Sequence, residues 1–113
     1  MRSVALTVPD LSAAERFFTE VWHLQISART DTSIYLRGTG ADHHLLALHQ
    51  APGPSRIIQV SLRARSRLAL DQVAQDAVAA GGRVVSPPAR VSEPGGGEAV
   101  SVADADGRVF QLV

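Results

Sequence analysis

The sequence predicts an α+β fold of two similar modules in tandem, and three observations predict it. The order strand, helix, then two or three further strands occurs twice along the 113 residues. A stretch bearing proline and glycine, Ala51-Pro52-Gly53-Pro54-Ser55, separates the two occurrences near the midpoint of the chain. A chain of this length can bury one hydrophobic core but not two, so the repeats are expected to complete a single domain over 1–113. Module 1 then spans about residues 1–50, a linker 51–56 and module 2 about residues 57–113. Placed side by side, with helices packed outside, their curled mixed sheets would enclose a cleft.

In the first module, Ser3 to Val8 alternates, with Val4, Leu6 and Val8 on one face and Ser3, Ala5 and Thr7 on the other. Pro9-Asp10 ends this strand. Ser12 followed by Glu15 is a capping-box pattern, and Leu11, Ala14, Phe18 and Val21 fall at helical spacing, which predicts a helix from about Ser12 to Trp22. His23 sits where the helix must stop, and histidine is one of the few residues besides glycine that tolerates positive φ. Leu24 to Ala28 reads as a short strand, Arg29-Thr30-Asp31 as a turn and Thr32 to Arg37 as a strand carrying Ile34 and Leu36 against Ser33 and Tyr35. After a glycine-bearing loop, His43 to His49 is expected as the fourth strand, which would send His43 and His44 to opposite faces.

The second module repeats the order. Ile57 to Ala64 is expected as a strand and Ser66 to Ala80 as a helix with Leu70, Val73, Ala74, Ala77 and Val78 as its buried stripe, stopped by Gly81-Gly82. Arg83 to Ser86 reads as a short strand, Pro87 to Gly97 as a long polar hairpin and Glu98 to Ala103 as a further strand. Asp104-Ala105-Asp106-Gly107 makes a tight turn into a closing strand, so that Gln111 projects from one defined face.

Composition removes several function classes. Lys plus Arg and Asp plus Glu both number 11, and the formal net charge of zero gives no bulk attraction to nucleic acid or to a membrane surface. There is no cysteine, which excludes disulfides and thiolate metal sites. No apolar run approaches a membrane span, and Met1 to Leu6 runs straight into a strand pattern rather than a signal peptide; a cytoplasmic location is expected. Glu93-Pro94-Gly95-Gly96-Gly97 lacks the lysine and helix that a phosphate-binding loop requires. Arg63, Arg65 and Arg67 are expected on a solvated face.

Several segments together resemble a known family. They are Ser3-Val4-Ala5-Leu6-Thr7-Val8-Pro9-Asp10-Leu11, the helix around Ala14 to Phe18, Tyr35-Leu36-Arg37 followed by Asp42-His43-His44-Leu45-Leu46-Ala47-Leu48, and the closing Asp104 to Val113. In order and spacing they look like the vicinal oxygen chelate superfamily of glyoxalases, bleomycin- and fosfomycin-resistance proteins and extradiol dioxygenases. The Tyr-Leu-Arg and Asp-His-His pair is most similar to the N-terminal domain of two-domain extradiol dioxygenases. The resemblance implies paired βαβββ modules around a metal-holding cleft. Catalytic members usually hold iron, manganese, zinc or nickel through a histidine on the first strand, a second histidine or a glutamate on the strand opening the other module, and a glutamate on the last strand, and by position those ligands fall on Ser3, Gln59 and Gln111. A hydroxyl and two amides supply neither the negative charge nor the imidazole nitrogens that such ions need.

Two function classes follow. The first is a non-catalytic domain of this fold without a cofactor, binding a small apolar or aromatic molecule in its cleft or forming the N-terminal part of a ring-cleaving dioxygenase. The second is a divergent metal-dependent enzyme, of the dioxygenase or glyoxalase type, that uses other ligands, for example His44 or His49 with Glu98. Under the first class Ser3, Gln59, Gln111, His44, His49 and Tyr35 are the expected cleft residues, none of them catalytic or metal-binding. A homodimer, or a second domain of the same fold, is the expected partner.

Overall fold

The computed structural model describes residues 1–113 and is α+β, as the sequence predicts. The chain forms two compact units, residues 2–58 and residues 59–113.

The first unit carries β1 (Ser3–Val8), α1 (Leu11–Arg16), β2 (Gln25–Arg29), β3 (Ser33–Arg37) and β4 (Leu46–Gln50). The strand order is β2-β3-β4-β1; β4 runs parallel to β1 and antiparallel to β3. Alternation along the strands separates two clusters. Val8, Leu11, Ile34, Leu36, Leu46 and Leu48 form the core under α1, with Leu6, Ala14, Phe18 and Leu24 packed against it. Each such fully buried aliphatic side chain contributes about 1.5–3 kcal/mol. Ala5, Tyr35 and Ala47 form a smaller cluster, and they are cross-strand neighbours in register.

The first helix differs from the sequence expectation at both ends. Its N-cap is Asp10, whose Oδ1 accepts from the Ala13 N–H at 3.0 Å, rather than Ser12. A carboxylate in extended backbone satisfies a free N–H and complements the positive end of the helix, so the cap lies two residues earlier and the helix starts at Leu11. The α-helix stops at Arg16, and Phe17–Val21 follows as a π-helical turn in which the Trp22 N–H reaches the Phe17 carbonyl at 3.4 Å. The wide turn gathers Phe17, Phe18 and Trp22 edge to face, with the Phe18 and Trp22 centroids 4.9 Å apart. His23 ends it at φ 58°, the positive φ expected of it.

The fourth strand starts later than the alternation suggests. Its pairing begins at Leu46, opposite Leu36, and β3 ends at Arg37, so His43 and His44 have no strand to pair with and lie in the loop. They do not point to opposite faces: their Nδ1 atoms are 2.9 Å apart.

The second unit follows β5 (Arg56–Leu62), from which it takes the residues after Ile58, with α2 (Arg67–Ala79), β6 (Arg83–Arg90), β7 (Glu98–Ala103) and β8 (Val109–Leu112). The order is β5-β8-β7-β6, with β5 parallel to β8 and the remaining pairs antiparallel. Ser66 caps α2, accepting from the Ala69 N–H, and Gly81-Gly82 closes it as a Schellman motif with the Gly82 N–H on the Ala77 carbonyl at 2.8 Å. Leu70 is buried and Val73, Ala74 and Ala77 are half-buried, but Val78 is 58% exposed. Eight residues beyond Leu70, Val78 sits about 80° round the helix and so leaves the stripe.

The expected polar hairpin at Pro87–Gly97 is shorter, because β6 continues through Pro87 and Pro88 to Arg90. It is the outermost strand of its unit's sheet, and the register shifts twice between Val84 and Ala89, which is how a strand accommodates prolines.

Candidate ligand site

In the second unit the closing turn aims Gln111. Asp104 Oδ1 accepts from the Asp106 and Arg108 N–H groups at 3.0 and 2.9 Å, and its Oδ2 accepts from Arg108 Nε at 2.7 Å. The backbone hydrogen bond from Arg108 above all, then its guanidinium, holds the Asp104 carboxyl below the usual carboxylate range. Gly107 takes φ 86°, which a side chain would oppose. The turn fixes the β7–β8 register so that Ser101 stands opposite Gln111.

The same register extends across the sheet. Ser61 on β5 pairs with Gln111, Gln111 with Ser101, and Ser101 with Ser86 on β6, which makes one polar row over four strands. Gln59 lies two residues before Ser61 and therefore on the same face. Its Nε2 donates to Gln111 Oε1 at 3.1 Å and to Ser61 Oγ at 3.2 Å, while Ser61 Oγ donates to Gln111 Oε1 at 2.8 Å. Ser61 is only 1% exposed while Gln59 and Gln111 are half-buried, so the triangle is anchored at a buried hydroxyl and turns its two amides outward.

A cavity of about 490 Å³ opens over the row, lined among others by Gln59, Gln111, Ser86, Ser101, Arg90 and Glu93. No aromatic side chain lines it. Phe18 instead packs against the core of the first unit.

The remaining expected residues lie in the first unit. Ser3 is buried at the start of β1, and the structure places it in a different unit from Gln59 and Gln111. The Tyr35 ring lies edge to face with both His44 and His49, at centroid distances of 4.9 and 5.9 Å. His49 Nδ1 is hydrogen-bonded to Ser33 Oγ at 2.7 Å. His44 is 2% exposed, and burial first, then the nearby His43, Arg2 and His49, push its pKa down to about 4. Tyr35, His44 and His49 form one packed ring cluster, in which burial keeps His44 uncharged at neutral pH.

Neither unit offers the donor set that a divalent iron, manganese or zinc ion requires. No three His, Asp or Glu side chains are placed to share a metal ion. Glu98, the carboxylate of the alternative set, is ion-paired with Arg67. Gln59, Ser61 and Gln111 supply no charge and no imidazole, and Gln111 Oε1, the oxygen that could face a metal, already accepts two hydrogen bonds. The residues present do not fit such an ion.

The profile of the Glyoxalase/Bleomycin resistance protein/Dioxygenase superfamily matches residues 1–112. The chain belongs to this superfamily. Among solved structures, this glyoxalase/dioxygenase-type chain is similar to an Mn(II)-bound glyoxalase from Novosphingobium aromaticivorans, with 33% identity and a TM-score of 0.90 over 98% of this chain and 37% of that one. It is also similar to homoprotocatechuate 2,3-dioxygenase from Brevibacterium fuscum in complex with 3,4-dihydroxyphenylacetate, at 25% identity and TM-score 0.83 over 97% of this chain and 34% of that one. The Arthrobacter globiformis homoprotocatechuate 2,3-dioxygenase, at 24% identity and TM-score 0.83, shares the fold. The chain thus spans about a third of the length of these neighbours. No curated protein gives a significant match. No helix is long and apolar enough to cross a membrane.

Sequence reasoning missed Ser61, Ser86, Ser101 and Arg90. Ser101 was within reach, because counting outward from the Asp104–Arg108 turn sets it opposite Gln111. Ser61 was not, since the β5–β8 pairing is parallel and no turn fixes its register.

Proposed function

We propose that this superfamily member is a metal-independent domain that binds a small molecule in the cavity of residues 59–113, and that it serves as one domain of a longer protein of the extradiol-dioxygenase type. The observation that carries this reading is the Gln59–Ser61–Gln111 triangle. It occupies two of the three positions where the family resemblance would put metal ligands, and it turns the Gln111 oxygen inward to Gln59 and Ser61. A ligand there is held by hydrogen bonds, and the chemistry of two vicinal oxygens on a metal is not available to it. Coverage of about a third of each neighbour supports the assignment to a larger assembly, in which a second domain of the same fold or a second copy would complete the protein.

Elemental analysis tests the reading directly. Protein purified from medium supplemented with manganese, iron and zinc is expected to carry no stoichiometric metal. One tightly held transition metal per chain would overturn it in favour of a divergent metal enzyme.

A further inference from the structure

Resting on the reading of this cavity as a metal-free binding site, we propose that Gln59 and Gln111 read an uncharged amide or lactam, one donor and one acceptor being presented together. Each glutamine amide has one oxygen and one NH2 group. Gln59 Nε2 gives its two hydrogens to Gln111 Oε1 and Ser61 Oγ, and Gln111 Oε1 receives from both Gln59 and Ser61. What remains is Gln59 Oε1, an acceptor, and Gln111 Nε2, a donor, and neither has a partner within the chain. Both side chains line the cavity.

This outcome does not depend on which way the amides are turned. Two amides joined head to tail always leave one oxygen and one NH2, so exchanging both pairs reproduces the same complement. A cis-amide edge, with its C=O and N–H side by side, matches that complement. A carboxylate offers only acceptors and an ammonium only donors, and each would leave one glutamine group desolvated and facing its like. The charged side chains on the cavity wall, Arg90 and Glu93, contribute one formal charge of each sign, so the wall has no net preference for an ion. The hydroxyls of Ser86 and Ser101, which rotate to donate or accept, extend the same neutral polar surface.

The test is titration of the isotope-labelled full chain, with chelator present, by benzamide, 2-piperidone, benzoate and catechol, followed by NMR. Benzamide and 2-piperidone are expected to shift the side-chain NH2 signals of Gln59 and Gln111 and the backbone signals of Ser61 and Ser101. Their affinity should exceed that of benzoate by roughly tenfold, the discrimination expected when a buried polar group loses its partner. Gln111→Glu, which replaces the donor by an acceptor, should lower benzamide affinity by a similar factor while the signals of residues 2–58 stay in place. Tighter binding of benzoate or catechol overturns the ligand class and leaves the metal-free reading standing. Absence of any shift at these residues likewise overturns the class. Shifts that appear only after Mn(II) is added in place of chelator overturn both.

Discussion

Gln59 and Gln111, 52 residues apart, meet side chain to side chain, the Nε2 of the first on the Oε1 of the second at 3.1 Å. Their meeting means that both side chains reach one point, where two amides offer neither charge nor imidazole. Converting them with Gln59→His and Gln111→Glu supplies an imidazole and a carboxylate there. The double variant should bind Mn(II) at least roughly tenfold more tightly than the parent in calorimetry, a gain of about 1.4 kcal/mol or more. Unchanged affinity would show that the two positions cannot share an ion.

Ser61 holds both amides. Its Oγ accepts from Gln59 and donates to Gln111, and the residue is 1% exposed. Ser61→Ala leaves Gln111 Oε1 with one donor instead of two and frees a hydrogen on Gln59. The expected cost is about 1–2 kcal/mol, read as a lower denaturation midpoint with an unchanged slope. The same variant should weaken any ligand that the pair holds, because the amides lose their fixed orientation.

Much of this fold is written in local pattern. Alternation in Ser3–Val8 put Leu6 and Val8 on the face opposite Ala5, and in the structure the first two pack in the core under α1 while Ala5 packs with Tyr35. The Asp104–Arg108 turn placed Gln111 on a defined face. The misreadings occurred where a nonlocal partner decides the outcome. His43 and His44 alternate like a strand, yet they lack a neighbour to pair with once β3 has ended at Arg37. Pro87 and Pro88 read as a loop because the sequence does not reveal that β6 is the outermost strand. The site was half legible for the same reason: the resemblance pointed to Gln59 and Gln111, but the hydroxyl that locks them comes from a parallel register that nothing nearby in sequence encodes.

The stop of α2 makes a steric prediction. A Cβ built on Gly82 would lie 2.4 Å from the Ala103 carbonyl oxygen and 3.0 Å from that of Ala77. Both contacts are backbone, one on β7 and one inside the helix, and neither can swing aside as a side chain would. Gly82→Ala should therefore destabilise the chain by about 3 kcal/mol or more, seen as a clear fall in Tm. Gly40→Ala is the control, since a Cβ there meets nothing within 4 Å.

The buried histidine gives the chain an acid limit. His44 keeps a pKa of about 4 in the folded state, against an ordinary 6.5, chiefly because burial opposes its charge and then because His43, Arg2 and His49 add to the repulsion. The unfolded chain takes up this proton as pH falls through 6.5, whereas the folded chain takes it up only near 4. Stability tied to neutral His44 is therefore intact above pH 6.5 and is lost progressively toward pH 4, at about 1.4 kcal/mol per pH unit where the group acts alone. Protonation also removes the acceptor in the His43–His44 contact, whose two Nδ1 atoms at 2.9 Å can share only one hydrogen. Denaturant midpoints measured from pH 7.5 to 4.5 should fall accordingly. His44→Phe, which keeps a ring against Tyr35 but cannot take a proton, should flatten that limb relative to the parent, and an equally steep acid limb in the variant would assign the loss to another group.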